Sequence, residues 1–393
     1  MKKYDVAVVG AGPSGLHTAR RLAEKGLEVL VLEKKGRVGE AVNCTGLIGT
    51  DVFNEFGLGE QSILRRVQDV RLVSPEGSSI EYNHSSTFAF VVDRDLFDRG
   101  IGESALAAGA KIETGTQVFD VRTNSEGVEV MAGKNGKDEI KISARSAVLA
   151  TGIQQELSRK LGLGSPKHHL HGAQVEVEAE KEGIPTIFAG NDIAAGGFAW
   201  AVPSRPGMIK YGLITEGDAK ASFQAFAGKH LGREAGRLEG RKIRFKPIAQ
   251  GLTSRTYGLR VLAVGEAAGQ VKTTTGGGVA FGLRSAEIAA EVLARKLKQD
   301  ALGESSLAEY EKLWKRELRT EILLGFYARR IWSRMNDSHI ERVFQFARTD
   351  GVIPIIREKG EFDRHGELIL ALLRRFSLFG ILDGIASKIP RLN

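Results

Sequence analysis

"YDVAVVGAGPSGLHTARRLAEKGLEVLVLE", residues 4–33, decides how the chain begins to fold. Val6 to Val9 make a short apolar run, the pattern of a strand buried on both faces of a parallel sheet. The run ends in "GAGPSG", where Gly10, Gly12 and Gly15 satisfy G-x-G-x-x-G. A helical pattern follows through "LHTARRLAEKG", and a second apolar strand, "LEVLVLE", ends at Glu33. Gly10 permits the tight turn, Gly12 lets backbone approach a pyrophosphate, and Gly15 lets helix and strand pack closely. The helix N-terminus offers unpaired N–H groups and partial positive charge to phosphates. Glu33, 18 residues beyond Gly15, stands where a carboxylate accepts ribose hydroxyls. The spacing predicts a dinucleotide site, without separating FAD from NAD.

Composition bounds the rest. At 393 residues the chain can bury more than one core, so two or three structural units are expected. Cys44 is the only cysteine, which leaves no internal disulfide framework, cysteine-built zinc site or self-contained iron–sulfur cluster. A lone thiol fits a cytoplasmic protein. The formal charge of +8 favours acidic partners such as phosphorylated cofactors or anionic lipid headgroups. Neither an RNA-binding aromatic signature nor zinc-finger spacing is present, which argues against nucleic acid. The opening "YDVAVVG" is too short and too early for a signal peptide. No stretch reaches the roughly 20 uncharged apolar residues of a membrane span.

"LRVLAVGEAAGQVKTTTGGGVAFGLRSAEIAAEVLARKL", residues 259–297, repeats the strand–turn–helix plan far along the chain. Glycine inside a helix or strand costs roughly 0.5–1 kcal/mol relative to alanine, so a dense cluster serves close approach of backbone to something. Here the helix N-terminus would meet a flavin ring rather than a phosphate. Reduced flavin carries negative charge at N1–C2=O, which backbone N–H donors and the helix dipole stabilise. Gly276, Gly277 and Gly278 remove side chains that would hold a flat ring away.

"GAGPSG", "DRDLFDRGIGESALAAGA" (93–110) and "GEAAGQVKTTTGGGVAFGLRSA" occur in order and at suitable spacing. Together they resemble the FAD fold of p-hydroxybenzoate hydroxylase-like flavoproteins, and within that group the geranylgeranyl reductase family, over about residues 1 to 300. The resemblance implies an α/β FAD-binding Rossmann-type domain with an antiparallel β-sheet substrate domain and a C-terminal helical region. The FAD-binding domain would comprise residues 1–70, 93–160 and 250–300. The substrate domain would comprise 71–92 and 165–249, and the helical region 301–393.

Carried over by position, Gly10, Gly12, Pro13 and Ser14 would line the pyrophosphate, with Gly15 behind them. Glu33 would hold the adenosine ribose, Arg94 would contact FAD, and Val118 in "GTQVFDV" would present backbone to adenine. Gly265 opens the late motif. Glu266 takes the place of the family's ribitol-binding aspartate, and Gly277, Gly278 and Val279 would touch flavin or ribitol. Two departures stand out. Glu266 is one methylene longer, which shifts the ribitol contact, and Thr273 replaces a proline, which loosens the loop. "VLATG" (148–152) takes the place of the hydroxylases' alanine–aspartate–glycine motif and argues against an aromatic hydroxylase.

"GEAVNCTGLIGTD" (39–51) resembles the family loop in which a cysteine precedes a glycine near the isoalloxazine. Cys44, Thr45 and Leu47 would face the flavin. Cys44 reads either as an inert small hydrophobe or as a thiol that positions substrate or acts as the catalytic acid, its unperturbed pKa near 8.5 keeping it protonated, with a bound water as the competing proton donor. Period-two strands in "HGAQVEVEAE", "GIPTIFAG" and "MIKYGLIT" suggest an antiparallel sheet with one packed face. "GGFAWAVPSRPGMIKYGL" (196–213) resembles the family's Tyr-x-Trp-x-Phe-Pro segment, with Phe198 for the tyrosine, Val202 for the phenylalanine, and Trp200 and Pro203 matching. It would wall an apolar substrate tunnel; the plainer reading is a sheet core. His168, His169 and His171 have poor metal-site spacing and read as a solvated loop, so no metal is expected.

Beyond residue 305 the chain reads as helices. Ile369, Leu372, Leu373 and Phe376 recur at helical spacing, with Arg374 and Arg375 opposite. "LRRFSLFGILDGIASKIPRL" (373–392) reads either as a cap on the substrate domain or as a peripheral membrane contact, with Asp383 favouring the cap. The resemblance implies an FAD-dependent reductase that saturates isoprenoid double bonds of a prenyl lipid or quinone. No second nucleotide motif is visible, so the electron donor would be NAD(P)H or a ferredoxin-like redox partner. A flavin monooxygenase or halogenase, a quinone-linked electron-transfer flavoprotein and a non-catalytic flavin sensor are the alternatives.

Overall fold

The computed structural model describes residues 3–134, 138–180, 183–348 and 352–378. Among these residues the strands form three sheets. In the first, Val261–Ala263, Asp138–Leu149, Lys3–Val9, Val29–Leu32 and Lys111–Glu113 run parallel in that spatial order. Along Lys3–Val9 the side chains alternate between two cores. Val6 and Val8 meet Leu16, Leu22 and Leu293, while Ala7 and Val9 meet Val121, Val130 and Leu149. Both faces are covered, so the sequence shows an unbroken apolar run. The helices Pro13–Ala23, Arg94–Ala107 and Val279–Lys298 bury apolar faces in the first core. The antiparallel strands Thr116–Thr123 and Val128–Lys134 extend from Asp138–Leu149.

The second sheet has the order Arg244–Gln250, His168–Glu178, Met208–Thr215, Phe198–Pro203, Thr186–Phe188, Asp69–Val73, Ser79–Asn83. All its pairs are antiparallel except Thr186–Phe188 with Asp69–Val73. One face, carrying Ala173, Val175, Val177, Tyr211 and Leu213, packs on Phe223 and Phe226 of the helix Ala219–Phe226. The other face carries Gln174, Glu176, Lys210 and Trp200, as strand alternation requires. A third sheet joins Leu47–Gly49, Ala89–Val92 and Ile63–Val67.

The three histidines do not lie on a loop. His168, His169 and His171 are exposed positions of the strand His168–Glu178, paired with Gln250, Ala249 and Pro247. The alternating pattern simply begins three residues earlier than "HGAQVEVEAE" suggests.

Helix Glu304–Trp332 ties the two halves together. Its buried Leu307, Tyr310, Trp314, Leu318 and Ile322 complete the first core, and each such side chain contributes about 1.5–3 kcal/mol by burial. Its far end, Ile331, joins Ile340 and Phe344 of the helix Asp337–Phe346 against Ile80 and Ala189. Leu372, Leu373 and Phe376 of the last described helix, Gly366–Leu378, pack on this cluster. The segment from 379 onward, with Asp383, lies outside the described residues. Among the described residues no helix is long and apolar enough to cross a membrane.

Candidate functional site

The two glycine motifs meet at the carboxyl end of the parallel strands, where open α/β sheets bind ligands. Gly10 has φ +105°, and a Cβ there would run into the Ala150 carbonyl. A Cβ on Gly15 would strike the Gly10 carbonyl and lie 2.9 Å from Ala150 Cβ. Gly12 differs: among the described residues nothing beyond its own chain neighbours comes within 4 Å of its missing side chain. Gly10 and Gly15 therefore serve packing, and the space beside Gly12 is open. Gly12 also caps Pro13–Ala23 without any side-chain hydrogen bond, so the N–H groups of that turn stay available.

Glu33 sits at this mouth. Its carboxylate accepts the Ala11 N–H at 2.8 Å and the Lys35 N–H at 3.0 Å, which fixes its direction. The Glu33 carbonyl accepts the Thr116 N–H at 2.8 Å, which brings the strand of Val118 alongside.

Gly265, at φ +67°, leaves room for Ser14: a Cβ there would lie 2.6 Å from Ser14 Oγ. The turn is pinned from behind. The Gly265 N–H donates to Gln270 Oε1 at 2.7 Å, Gln270 Nε2 donates to the Tyr310 hydroxyl, and that hydroxyl donates to the Ala263 carbonyl at 2.9 Å. Gly278 caps Val279–Lys298 and again has no side-chain cap bond. The Gly277 carbonyl accepts the Lys272 N–H at 2.8 Å, closing the loop on itself.

Thr273 does not loosen this loop. Its hydroxyl donates to the Ile322 carbonyl at 2.7 Å, and its own carbonyl accepts Arg329 Nε at 2.8 Å. The same buried guanidinium also donates to the carbonyls of Thr274 and Gly196. Burial pushes Arg329 down to about 10, with only the charge of Glu216 opposing. The anchoring that a proline ring gives by stiffness is supplied here by hydrogen bonds.

The carboxylate of Glu266 accepts Lys246 Nζ at 3.0 Å and the Ala249 N–H at 3.4 Å, both from the edge strand Arg244–Gln250. The extra methylene over aspartate lets Glu266 span to the second sheet.

On the opposite wall, Cys44 is half-buried beside Arg94. Arg94 donates to both carboxylate oxygens of Asp98, at 3.0 and 3.1 Å, and its charge acts on the thiol. Thr45 Oγ1 donates to Gln174 Oε1 at 2.9 Å, and the Thr45 carbonyl accepts Lys210 Nζ at 3.0 Å. Burial pushes the Cys44 thiol up, but Arg94, the Gly46 N–H and Lys210 together outweigh it, and the net direction is down. The thiol is not unperturbed. Burial likewise lowers Lys210, against the charge of Glu176.

Next to this loop lies an apolar cluster. Val67, Ala89, Val91 and Val202 are buried with Leu47, Phe88, Trp200 and Phe362 packed on them. The Trp200 indole lies over Gly212, where a Cβ would be 2.6 Å from its Cε2. Phe198 tilts against Trp200 at 5.9 Å, and Pro203 is buried at the strand's end. Phe362 arrives from the segment before the last described helix. Lys272 Nζ donates to the Phe362 carbonyl at 2.6 Å and to Asp363 Oδ1 at 3.0 Å, while Asp363 Oδ2 accepts the Gly49 N–H at 2.9 Å.

Open space at Gly12, two uncapped helix N-termini and an oriented carboxylate at Glu33 fit a dinucleotide stretched between the motifs. A model of the FAD binding domain matches residues 3–319. The chain belongs to the FAD binding domain family. It is an FAD-dependent oxidoreductase. It is 29% identical over 354 residues to digeranylgeranylglycerophospholipid reductase of Methanocaldococcus jannaschii, covering 86% of this chain and 89% of that protein. It is 26% identical to the enzyme of that name from Methanothrix thermoacetophila, covering 89% and 93%. Its fold is similar to that of a geranylgeranyl bacteriochlorophyll reductase-like protein from Thermoplasma acidophilum, with a TM-score of 0.84, 20% identity, and 98% and 99% of the two chains covered. The flavin-dependent brominase Bmp2 shares the fold at a TM-score of 0.72 and 17% identity, over 96% of this chain and all of that one.

Sequence reasoning missed Asp98, Lys210, Lys246, Arg329 and Asp363. A lysine on an inward register of the apolar strand "MIKYGLIT" was the one local signal, since fully buried lysines are rare without partners.

Proposed function

We infer that this oxidoreductase saturates carbon–carbon double bonds in the isoprenoid chain of a geranylgeranyl-type lipid or quinone. The observation that carries the reading is the apolar cluster of Trp200, Phe88, Leu47 and Val202 beside a polarised thiol at Cys44. The similarity to reductases of digeranylgeranyl lipids supports it.

FAD, when bound and reduced, supplies the hydride. In this reading Gly12, Pro13 and Ser14 line its pyrophosphate, Glu33 holds the adenosine ribose and Val118 faces adenine. Arg94, Glu266, Gly277, Gly278 and Val279 lie along the ribityl and flavin end. Trp200, Phe198 and Pro203 wall the chain's path, exclude water and fix the alkene, the positional share of catalysis. Cys44 gives a proton to the second alkene carbon. A thiol drawn down toward working pH is a stronger acid than a free cysteine, and general acids work best with a pKa near the operating pH. Arg94 and Lys210 then stabilise the thiolate left behind. Electrons come from NAD(P)H or a ferredoxin-like protein.

The test is anaerobic reduction with dithionite in the presence of a geranylgeranyl lipid, followed by mass spectrometry. A gain of about two mass units per double bond supports alkene reduction by hydride and proton. Addition of oxygen or halide in air would favour the oxygenase reading. Rapid quinone reduction with an unchanged prenyl chain would favour the electron-transfer reading.

A further inference from the structure

We propose that Lys246 belongs to the FAD site: its ammonium neutralises Glu266 and donates to the ribityl–pyrophosphate stretch of the cofactor. The proposal rests on FAD binding and not on the identity of the substrate. Glu266 stands at the opening of the late glycine motif, above Gly152, where a Cβ would lie 3.7 Å from Glu266 Oε2. It is thus at the carboxyl end of the parallel strands, with only 16% of its side chain exposed. A carboxylate so placed faces a cofactor that already carries two phosphate charges, and the charge grows when flavin is reduced. Something has to compensate it.

The edge strand Arg244–Gln250 does so. Lys246 Nζ lies 3.0 Å from Glu266 Oε2, and the Ala249 N–H reaches Oε1. Ile248 lies between these two on the strand and fills the space at Gly276, where a Cβ would be 3.3 Å from two of its methyls. Further along, the Arg244 carbonyl accepts Asn43 Nδ2 at 3.4 Å, beside Cys44. The strand therefore follows the crevice from the late motif to the cysteine loop, and Lys246 is the cation it delivers there. An ammonium has three donors, and among the described residues Lys246 Nζ donates to Glu266 alone. Its side chain is 40% exposed, so it can turn toward a ligand without breaking a core.

The experiment compares holoenzymes carrying Lys246→Met, Lys246→Arg, Glu266→Gln and the double substitution. FAD dissociation is followed by flavin fluorescence, and the two-electron midpoint potential by equilibration with dyes. Lys246→Met is expected to loosen FAD at least tenfold. It should also weaken the preference for reduced flavin about tenfold, which is roughly 30 mV more negative for a two-electron couple. Lys246→Arg should stay within about threefold of the parent, because it keeps the charge. Lys246→Met with Glu266→Gln should recover most of the potential, since no orphan carboxylate remains. Parent-like affinity and potential in Lys246→Met overturn the proposal, and so does a double variant whose midpoint potential stays as low as that of the single. A structure with FAD bound in which Lys246 Nζ points to solvent overturns it without any variant.

Discussion

The Ser14 hydroxyl occupies the space that a side chain on Gly282 would need. A residue of the first glycine motif thus sets the identity of a residue far along the chain, inside helix Val279–Lys298. At an ordinary helix position, glycine to alanine stabilises by up to about 1 kcal/mol. Here Gly282→Ala is expected to bring no such gain, because the Ser14 hydroxyl must first turn out of the way. Ser14→Ala should restore it, because the next atom, Ser14 Cβ, would lie an ordinary 3.5 Å away. Thermal unfolding of the two variants checks this; a more stable Gly282→Ala would contradict it.

Arg329 gives a second prediction. Its guanidinium serves the carbonyls of Thr273, Thr274 and Gly196. Arg329→Met leaves these acceptors buried and unpaired, at about 1–3 kcal/mol for each one that water cannot reach. The expected loss is about 2–5 kcal/mol in denaturant unfolding, together with weaker FAD retention, since the late glycine loop loses its anchor. Arg329→Lys recovers only part, lacking the fork.

Histidine 365 gives a third. Thr274 Oγ1 donates to its Nδ1 at 2.8 Å, and its Nε2 donates to the Phe362 carbonyl at 2.9 Å. Burial, with Lys272 adding repulsion, pushes it from an ordinary 6.5 down to about 3. Above pH 6.5 it is neutral both folded and unfolded. Below that, the unfolded chain takes up a proton the native site refuses, so stability falls with pH by about 1.4 kcal/mol per unit until about pH 3. His365→Gln should remove about one proton from this slope in urea titrations between pH 6 and 4. An unchanged slope would contradict the buried neutral imidazole.

Cysteine 44 gives a fourth. With the thiol held low by Arg94, the Gly46 N–H and Lys210 against burial, alkylation by iodoacetamide should show a pH midpoint below that of an exposed cysteine, about 8.5. Arg94→Met should move the midpoint up. The lowered thiol contributes stability at high pH that is lost as pH falls through its folded value. A midpoint that stays put in Arg94→Met would contradict the pairing.

The parts legible in the sequence were those whose cause is local. The glycine turn after Val9 and the helix starts at Pro13 and Val279 follow from neighbours a few residues away. The FAD fold rests on them. Lys272 and Asp363 meet across 91 residues, and Arg329 reaches Thr273 across 56, so no window of sequence displays those pairs. Thr273 was misread for the same reason: its partner Ile322 belongs to a helix whose docking the loop does not encode. The thiol at Cys44 was misjudged because charges from Arg94 and Lys210 converge on it from separate elements. The strand register that turns Lys210 toward Thr45 depends on pairing with Glu176, which is fixed only in the folded sheet.

The most direct measurement is a single anaerobic turnover. Enzyme holding reduced flavin is mixed with a digeranylgeranyl glycerophospholipid, and flavin absorbance and lipid mass are followed together. The account predicts that flavin reoxidises as the lipid gains one pair of hydrogens per flavin. Flavin that stays reduced beside an unaltered lipid, or reoxidises without saturating it, would contradict it.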